Sequence, residues 1–357
     1  MKILFINFDK RWGGGQEYLL KLIDGLLNNG FEIGQLIPPK SISSDRFPKE
    51  FSNNPKYKSY TVNRILDLFK ILQIFSQYQI IHIHREHDLW LGLIASLITK
   101  IFHPQIKLVF SQHVKPTKKR FALKFFDLII CNSLYTKSVF QDIYSDSAIS
   151  ELTEQKLQVV YPSVSIENNE ILDSGIKLAG NPKFLMSGAY YKGQDELIEI
   201  FEEIITKLPE AKLYFIGPSE EESQVIRIKE LILTKGLDRQ VYLLPQKSRN
   251  EYLSILQQVD IFLYVFKYDG FGMAALEAAL IGKLIVAYKA GGVAEVLENY
   301  EFAKLIEAGN KHAYTQAVLD FANSLNKSKN LSNQSFEIFS LNQLIQGHID
   351  LYSKLLK

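Results

Sequence analysis

Short apolar runs alternate along the chain with stretches in which apolar residues recur every three or four positions. Lys2–Phe8, Glu32–Ile37, Gln79–His84, Lys107–Gln112, Asp127–Asn132 and Leu157–Tyr161 are runs of the first kind. Such runs, bounded by turn residues, are what strands buried in a parallel sheet look like. The second pattern predicts helices between them: from about Gln16 to Leu27, with apolar residues at 19, 20, 23, 26 and 27, over Arg64–Phe75, and over Ser133–Tyr144. Leu89–Phe102 is apolar on every side and reads as a helix of core type. Residues 38–58 are rich in Pro, Ser and Asn and read as loop.

The alternation then starts again. Strands are predicted at Phe184–Ser187, Ala211–Ile216, Gln240–Leu244, Ile261–Phe266, Leu284–Tyr288 and Ala303–Ile306. Helices are predicted at Gln194–Leu208, Glu220–Lys235, Asn250–Gln258, Met273–Ile281 and His312–Leu325, with a final one ending near Leu355. Asn326–Asn333 reads as a hinge-like break. Repeated strand–helix alternation predicts an α/β protein with parallel sheets. A length of 357 residues is large for one core, so two Rossmann-like domains are expected, 1–165 and 183–338, joined by a polar linker at 166–182.

Composition narrows the picture. Apolar residues make up 46% and charged residues 22%, an ordinary balance for a water-soluble chain. A net charge of +2 implies no nucleic-acid partner. Residues 1–170 carry 21 Lys and Arg against 16 Asp and Glu, while the remainder carries 20 against 23. The mildly basic first half suits an acidic partner or an anionic membrane surface. Its densest basic stretch runs from Lys115 to Lys124 among Phe121, Phe125 and Phe126, either a solvated face or a lipid-docking patch. The single cysteine, Cys131, excludes an internal disulfide and a cysteine metal cage, and reads as a buried thiol. MKILFINF is too short for a signal sequence, and no run of 18 apolar residues occurs. A cytoplasmic protein is expected, at most peripheral at the inner face of a membrane.

The chemistry concentrates in Tyr264–Gly292. A strand gives way to Asp269-Gly270-Phe271-Gly272, a helix runs to Gly282, and a second strand ends in Gly291-Gly292. Glycines let backbone approach a ligand, and the unpaired N–H groups of a helix start favour an anion. Asp269 and Glu277 bracket the turn. A second glycine turn, Gly13-Gly14-Gly15, follows the first strand. It lacks the G-x-G-x-x-G order, so a plain dinucleotide site is not expected. Gly188 and Lys192-Gly193 follow the strand Phe184–Ser187. His113 stands at the carboxyl end of a strand, where parallel sheets bind ligands. His82, His84 and His87 tempt a metal reading, but neither H-E-x-x-H nor Asp-x-Asp occurs, and no metal is expected.

The series acid-Gly-Phe-Gly, four residues, Glu-Ala, Gly282, an apolar strand and Gly-Gly resembles the nucleotide-sugar motif of the retaining GT-B glycosyltransferases of family 4 (glycosyl transferases group 1). In that family a Glu stands where Asp269 stands here. The Gly14-Gly15 loop, the strand-end histidines, Lys192-Gly193 and the last helix extend the resemblance over nearly the whole chain. It implies two Rossmann-like domains facing across a cleft, with residues 339–357 crossing back to the first. It implies retaining transfer of a hexose-type sugar from a nucleotide-diphosphate sugar, UDP being favoured, to a hydroxyl of a glycan or lipid-linked acceptor. No metal or other cofactor is implied.

The same resemblance implies roles. The N–H groups around Gly272, Met273 and Ala274, the Gly14-Gly15 loop and Lys192 would hold the diphosphate, and Gly188, Gly270 and Phe271 would belong to the same nucleotide-sugar site. Glu277 would take the ribose hydroxyls, Gln246 would lie in the loop at the nucleobase, and Asp269 would bind sugar hydroxyls. His113 would reach the sugar or phosphate near the reacting carbon. His113, Asp269 and Lys192 are therefore the catalytic candidates. Ala189 stands where the family carries a diphosphate-binding Arg, with Lys10, Arg11 and Lys267 as candidate substitutes. These two departures, Ala189 and Asp269, leave open a nucleotide-sugar-binding protein without turnover; a GT-B sugar-nucleotide epimerase is the remaining alternative.

Overall fold

A computed structural model of the chain describes residues 1–9, 13–63, 66–145, 156–164, 166, 174–218, 222–325 and 336–357. They fall into two units, Met1–Ser163 with Glu337–Lys357, and Val164–Phe336.

In the first unit seven strands form one parallel sheet: β1 (Lys2–Ile6), β2 (Glu32–Ile37), β3 (Tyr57–Thr61), β4 (Ile80–Ile83), β5 (Lys107–Gln112), β6 (Leu128–Cys131) and β7 (Leu157–Val159). Their spatial order is β3-β2-β1-β4-β5-β6-β7. The strands alternate buried residues between two cores. Leu4, Ile6, Ile81, Ile83 and Phe110 line one face; Ile3, Phe5, Ile80, Val109 and Ile130 line the other. The helix Gly14–Asn28 covers the second face, and the last helix, Leu341–Leu355, packs against it. Ser340 caps that last helix by accepting from the Gln343 N–H.

The second unit repeats the plan with six strands: β8 (Lys183–Ser187), β9 (Lys212–Ile216), β10 (Val241–Leu244), β11 (Ile261–Tyr264), β12 (Leu284–Tyr288) and β13 (Ala303–Ile306). Their order is β10-β9-β8-β11-β12-β13, all parallel. In both sheets the strand order reverses between the first and fourth strands, which places a crevice at their carboxyl ends.

Three expectations are corrected. Residues 38–58 are not all loop. Ser41 caps a helix, Ile42–Glu50, accepting from Ser44 N–H at 3.0 Å, and Phe47 is buried beneath it. The serines that read as loop residues are thus a helix start; β3 follows. The apolar helix, Leu89–Lys100, is not enclosed, since Trp90, Ile94, Leu97 and Ile98 are exposed. Within 166–182, the part from Ser174 onward is stitched to the second unit: Leu178 N–H donates to Gln258 and Ala179 N–H to the Tyr214 hydroxyl, each at 3.0 Å. Lys10, Arg11 and the break at 326–333 lie outside the described residues.

Candidate active site

At the switch point of the second sheet, β8 leads into Gly188 and Lys192, and the neighbouring β11 leads into Asp269. The two loops meet. Lys192 Nζ lies 2.9 Å from Asp269 Oδ2, with both side chains largely shielded from water. The Tyr264 hydroxyl donates to the same oxygen, and Phe271 N–H donates to Oδ1 at 3.3 Å. Burial pushes the Asp269 carboxyl upward. The Lys192 ammonium and the hydrogen bonds from Tyr264, Lys192 and Phe271 outweigh it, so the group sits below its ordinary value. Burial, and then the adjacent carboxylate, push the Tyr264 phenol well up, so it remains a donor.

Gly272, in the left-handed region at φ 96°, starts the helix Met273–Leu280. A glycine cap has no side chain to offer, so Met273 and Ala274 N–H groups head the helix without a side-chain cap. Gly292 has a steric reason to be glycine: a Cβ there would stand 2.3 Å from the Gly270 carbonyl oxygen. The Gly270-Phe271 backbone thus rests directly on the Gly291-Gly292 turn. Phe271 is buried, and its N–H is turned to Asp269.

Glu277 lies one and a half turns into this helix and is held by Arg249, the first residue of the helix Arg249–Gln258. Ser248 caps that helix, with Glu251 closing a capping box. Gln246 is exposed in the loop just before it. Beside Glu277 the buried Tyr252 phenol is pushed well up, by burial first and the carboxylate second. Arg249, Tyr252 and Tyr264 were missed by sequence reasoning. Arg249 opens a helix, where an arginine has no motif to mark it; Tyr264 ends an apolar strand and Tyr252 lies in a helix of mixed polarity, and neither carries a motif. Lys267, a candidate for the missing arginine, turns instead to Glu196 at 3.0 Å.

The first unit carries a different cluster. Gly14 and Gly15 begin the helix Gly14–Asn28, with open space beside each. At the ends of β4 and β5, His84 Nδ1 and His113 Nε2 are 3.0 Å apart with their rings stacked. The Tyr18 ring packs edge-on against His113 at 4.7 Å, and its hydroxyl meets His348 Nε2 at 3.1 Å. His82 is held by Tyr352 at 2.7 Å and Ser111 at 2.8 Å. Burial, reinforced by the neighbouring His348, pushes His113 down to about 4, and burial likewise pushes His348 down to about 4. His82 and His84 are lowered by burial and by the other histidines. The whole cluster is neutral at pH 7. His84 Nε2 is buried without a hydrogen-bond partner. Among the described residues no group of three His, Cys, Asp or Glu is arranged to hold a metal.

Residues 170–337 match the family profile of glycosyl transferases group 1, and residues 12–168 match that of glycosyltransferase family 4. The chain belongs to the group 1 glycosyltransferases of GT-B fold. An uncharacterized glycosyltransferase, MJ1178, of Methanocaldococcus jannaschii is 26% identical over 64% of this chain. The alpha-1,3/1,6-mannosyltransferase ALG2 of Saccharomyces cerevisiae is 21% identical over 68% of it. The matched regions span 60% and 53% of the length of these two relatives. The crystal structure of Anabaena Alr3699/HepE in complex with UDP-glucose shares the fold, with a TM-score of 0.76, 20% identity, and 99% of this chain and 100% of that one covered.

Proposed function

We propose that this group 1 glycosyltransferase moves a hexose-type sugar, with retention, from a nucleotide-diphosphate sugar to a hydroxyl of a glycan or lipid-linked acceptor. The observation that carries this reading is the strand-end constellation of the second unit. Lys192, paired with Asp269, and the uncapped Met273 and Ala274 N–H groups stand at a topological switch point, and Glu277, paired with Arg249, lies on the same helix. A departing diphosphate gains negative charge, and fixed donors aimed at that charge lower the barrier most. UDP as the nucleotide is supported by the UDP-glucose complex of the similar Anabaena protein. The chain's own cations serve the diphosphate, so transfer proceeds without a metal and survives a chelator. Asp269 takes sugar hydroxyls, and His113 reaches the sugar near the reacting carbon. A location at the inner face of a membrane fits a lipid-linked acceptor.

Glu277 would accept from the ribose hydroxyls, which requires Arg249 to share or release it. Glu277→Ala is expected to abolish donor-induced thermal stabilisation while the unliganded melting temperature changes little. Donor hydrolysis and transfer at the wild-type rate in that variant would defeat the assignment. One observation favours a second reading, a binding protein without turnover: Lys192 and Asp269 satisfy each other. Calorimetric donor binding with no product over a broad acceptor panel would select it.

A further inference from the structure

The helix Leu89–Lys100 is inside out. Trp90, Ile94, Leu97 and Ile98 recur at helical spacing on its outer face, with Trp90 52% exposed. Its inner face turns the small or polar residues Gly92, Ser96 and Thr99 toward the unit, beside Leu89 and Leu93. The Ser96 hydroxyl is buried without a partner. A helix on a water-facing surface shows the opposite arrangement. The apolar surface continues past the helix end through Ile101 and Phe102, 73% and 78% exposed. On either side the helix packs against Leu68–Phe75, which exposes Phe69, and against the 3-10 turn Phe121–Phe125, which exposes both its end residues. Exposed apolar residues gathered on packed neighbouring elements mark an interaction surface.

Charge identifies the occupant. Between Asp88 and Asp127 the chain has seven Lys and Arg and no Asp or Glu; Lys100 is paired with Asp127 and Arg120 with Glu86. Lys118 and Lys119 are exposed, and Lys124 lies 3.6 Å from the centre of the Phe121 ring. A second copy docking through the same patch about a two-fold axis would bring these basic residues against their own images. An anionic bilayer takes both parts: apolar side chains enter the acyl boundary and lysines meet the head groups. Tryptophan favours that interface. Twelve residues span only about 18 Å, too short to cross, so the helix lies in the surface.

We propose that Trp90, Ile94, Leu97, Ile98, Phe121 and Phe125, rimmed by Lys118, Lys119 and Lys124, form a docking face for an anionic lipid bilayer. The proposal is independent of the donor chemistry, and its test contains no nucleotide sugar. The chain has two tryptophans, Trp12 and Trp90. In a Trp12→Phe background, Trp90 emission is expected to shift to shorter wavelength with vesicles of phosphatidylcholine and phosphatidylglycerol, and to be quenched when the lipids are brominated. Pure phosphatidylcholine vesicles and high salt are expected to weaken sedimentation with lipid. Lys118→Gln with Lys119→Gln should lower partitioning about fivefold per lysine. Ile94→Gln with Ile98→Gln should lower it by at least about tenfold with only a small change in melting temperature, because both residues are already partly exposed. If that variant melts early, the exposed lysine pair decides. Equal recovery with and without anionic vesicles overturns the proposal. So does partitioning that both lysine substitutions leave unchanged, or a stable dimer on gel filtration that Ile94→Gln disperses.

Discussion

The two units share a strand order and a switch point, yet they put opposite chemistry there. At the ends of β4 and β5 the first unit gathers neutral histidines, His84 stacked on His113 with His82 and His348 behind them. At the ends of β8 and β11 the second unit gathers charges, Lys192 with Asp269 and Arg249 with Glu277, each carboxylate beside a buried tyrosine. The shared topology supplies a place, and the residues supply the chemistry. Neutral imidazoles suit uncharged hydroxyls; fixed cations and helix amides suit a diphosphate.

Acid should separate the units most. A histidine titrates near 6.5 when unfolded, whereas His113 and His348 are held down to about 4. Between those values the unfolded chain binds more protons. Stability present above pH 6.5 is therefore lost as pH falls through about 4, at about 1.4 kcal/mol per pH unit for each histidine. Asp269, also depressed, has stability present above the ordinary carboxylate value and loses it only as pH falls below that. The first unit should unfold at the higher pH. Trp90 lies in the first unit, so in a Trp12→Phe background its fluorescence follows that unit, while amide exchange in 183–325 follows the second. Coincident transitions would break the comparison.

The next largest effect is expected at Lys192. Lys192→Met leaves the Asp269 carboxylate shielded without its cation, which costs about 3–5 kcal/mol in chemical denaturation, and should slow transfer by about 10²-fold or more. Adding Asp269→Asn should restore most of the stability and none of the transfer. Recovery of both would make the pair structural. Tyr264→Phe keeps the ring and removes one donor to a charged oxygen, a loss of about 1.5–3 kcal/mol in the same assay. The smallest change is expected for Arg249→Ala. Its side chain is 38% exposed, so stability should fall by no more than about 1 kcal/mol. A few-fold change in donor KM should accompany it, since Glu277 loses its tether. An unchanged KM would detach Glu277 from the donor.

The histidines at the ends of β4 and β5 were legible as candidates because strand ends of parallel sheets carry sites, but their mutual stacking was not. The helix at Ile42–Glu50 escaped because Ser and Asn serve equally as caps and as loop residues. The outward face of Leu89–Lys100 escaped because a helix apolar on every side gives no phase to its periodicity.

What the sequence determined alone is local: the strand–glycine–helix alternation, the Asp269–Glu277 motif, and the glycines at the strand ends, all set within a few residues of chain. Only the tertiary structure decided which charges meet. Lys192 and Asp269 are 77 residues apart, Arg249 and Glu277 are 28, and His84 and His113 are 29. Their contacts depend on which strands lie side by side in a sheet, and a strand's own residues do not name its neighbour. The same holds for the exposed tryptophan face, since the side a helix turns to water is fixed by what packs against the other.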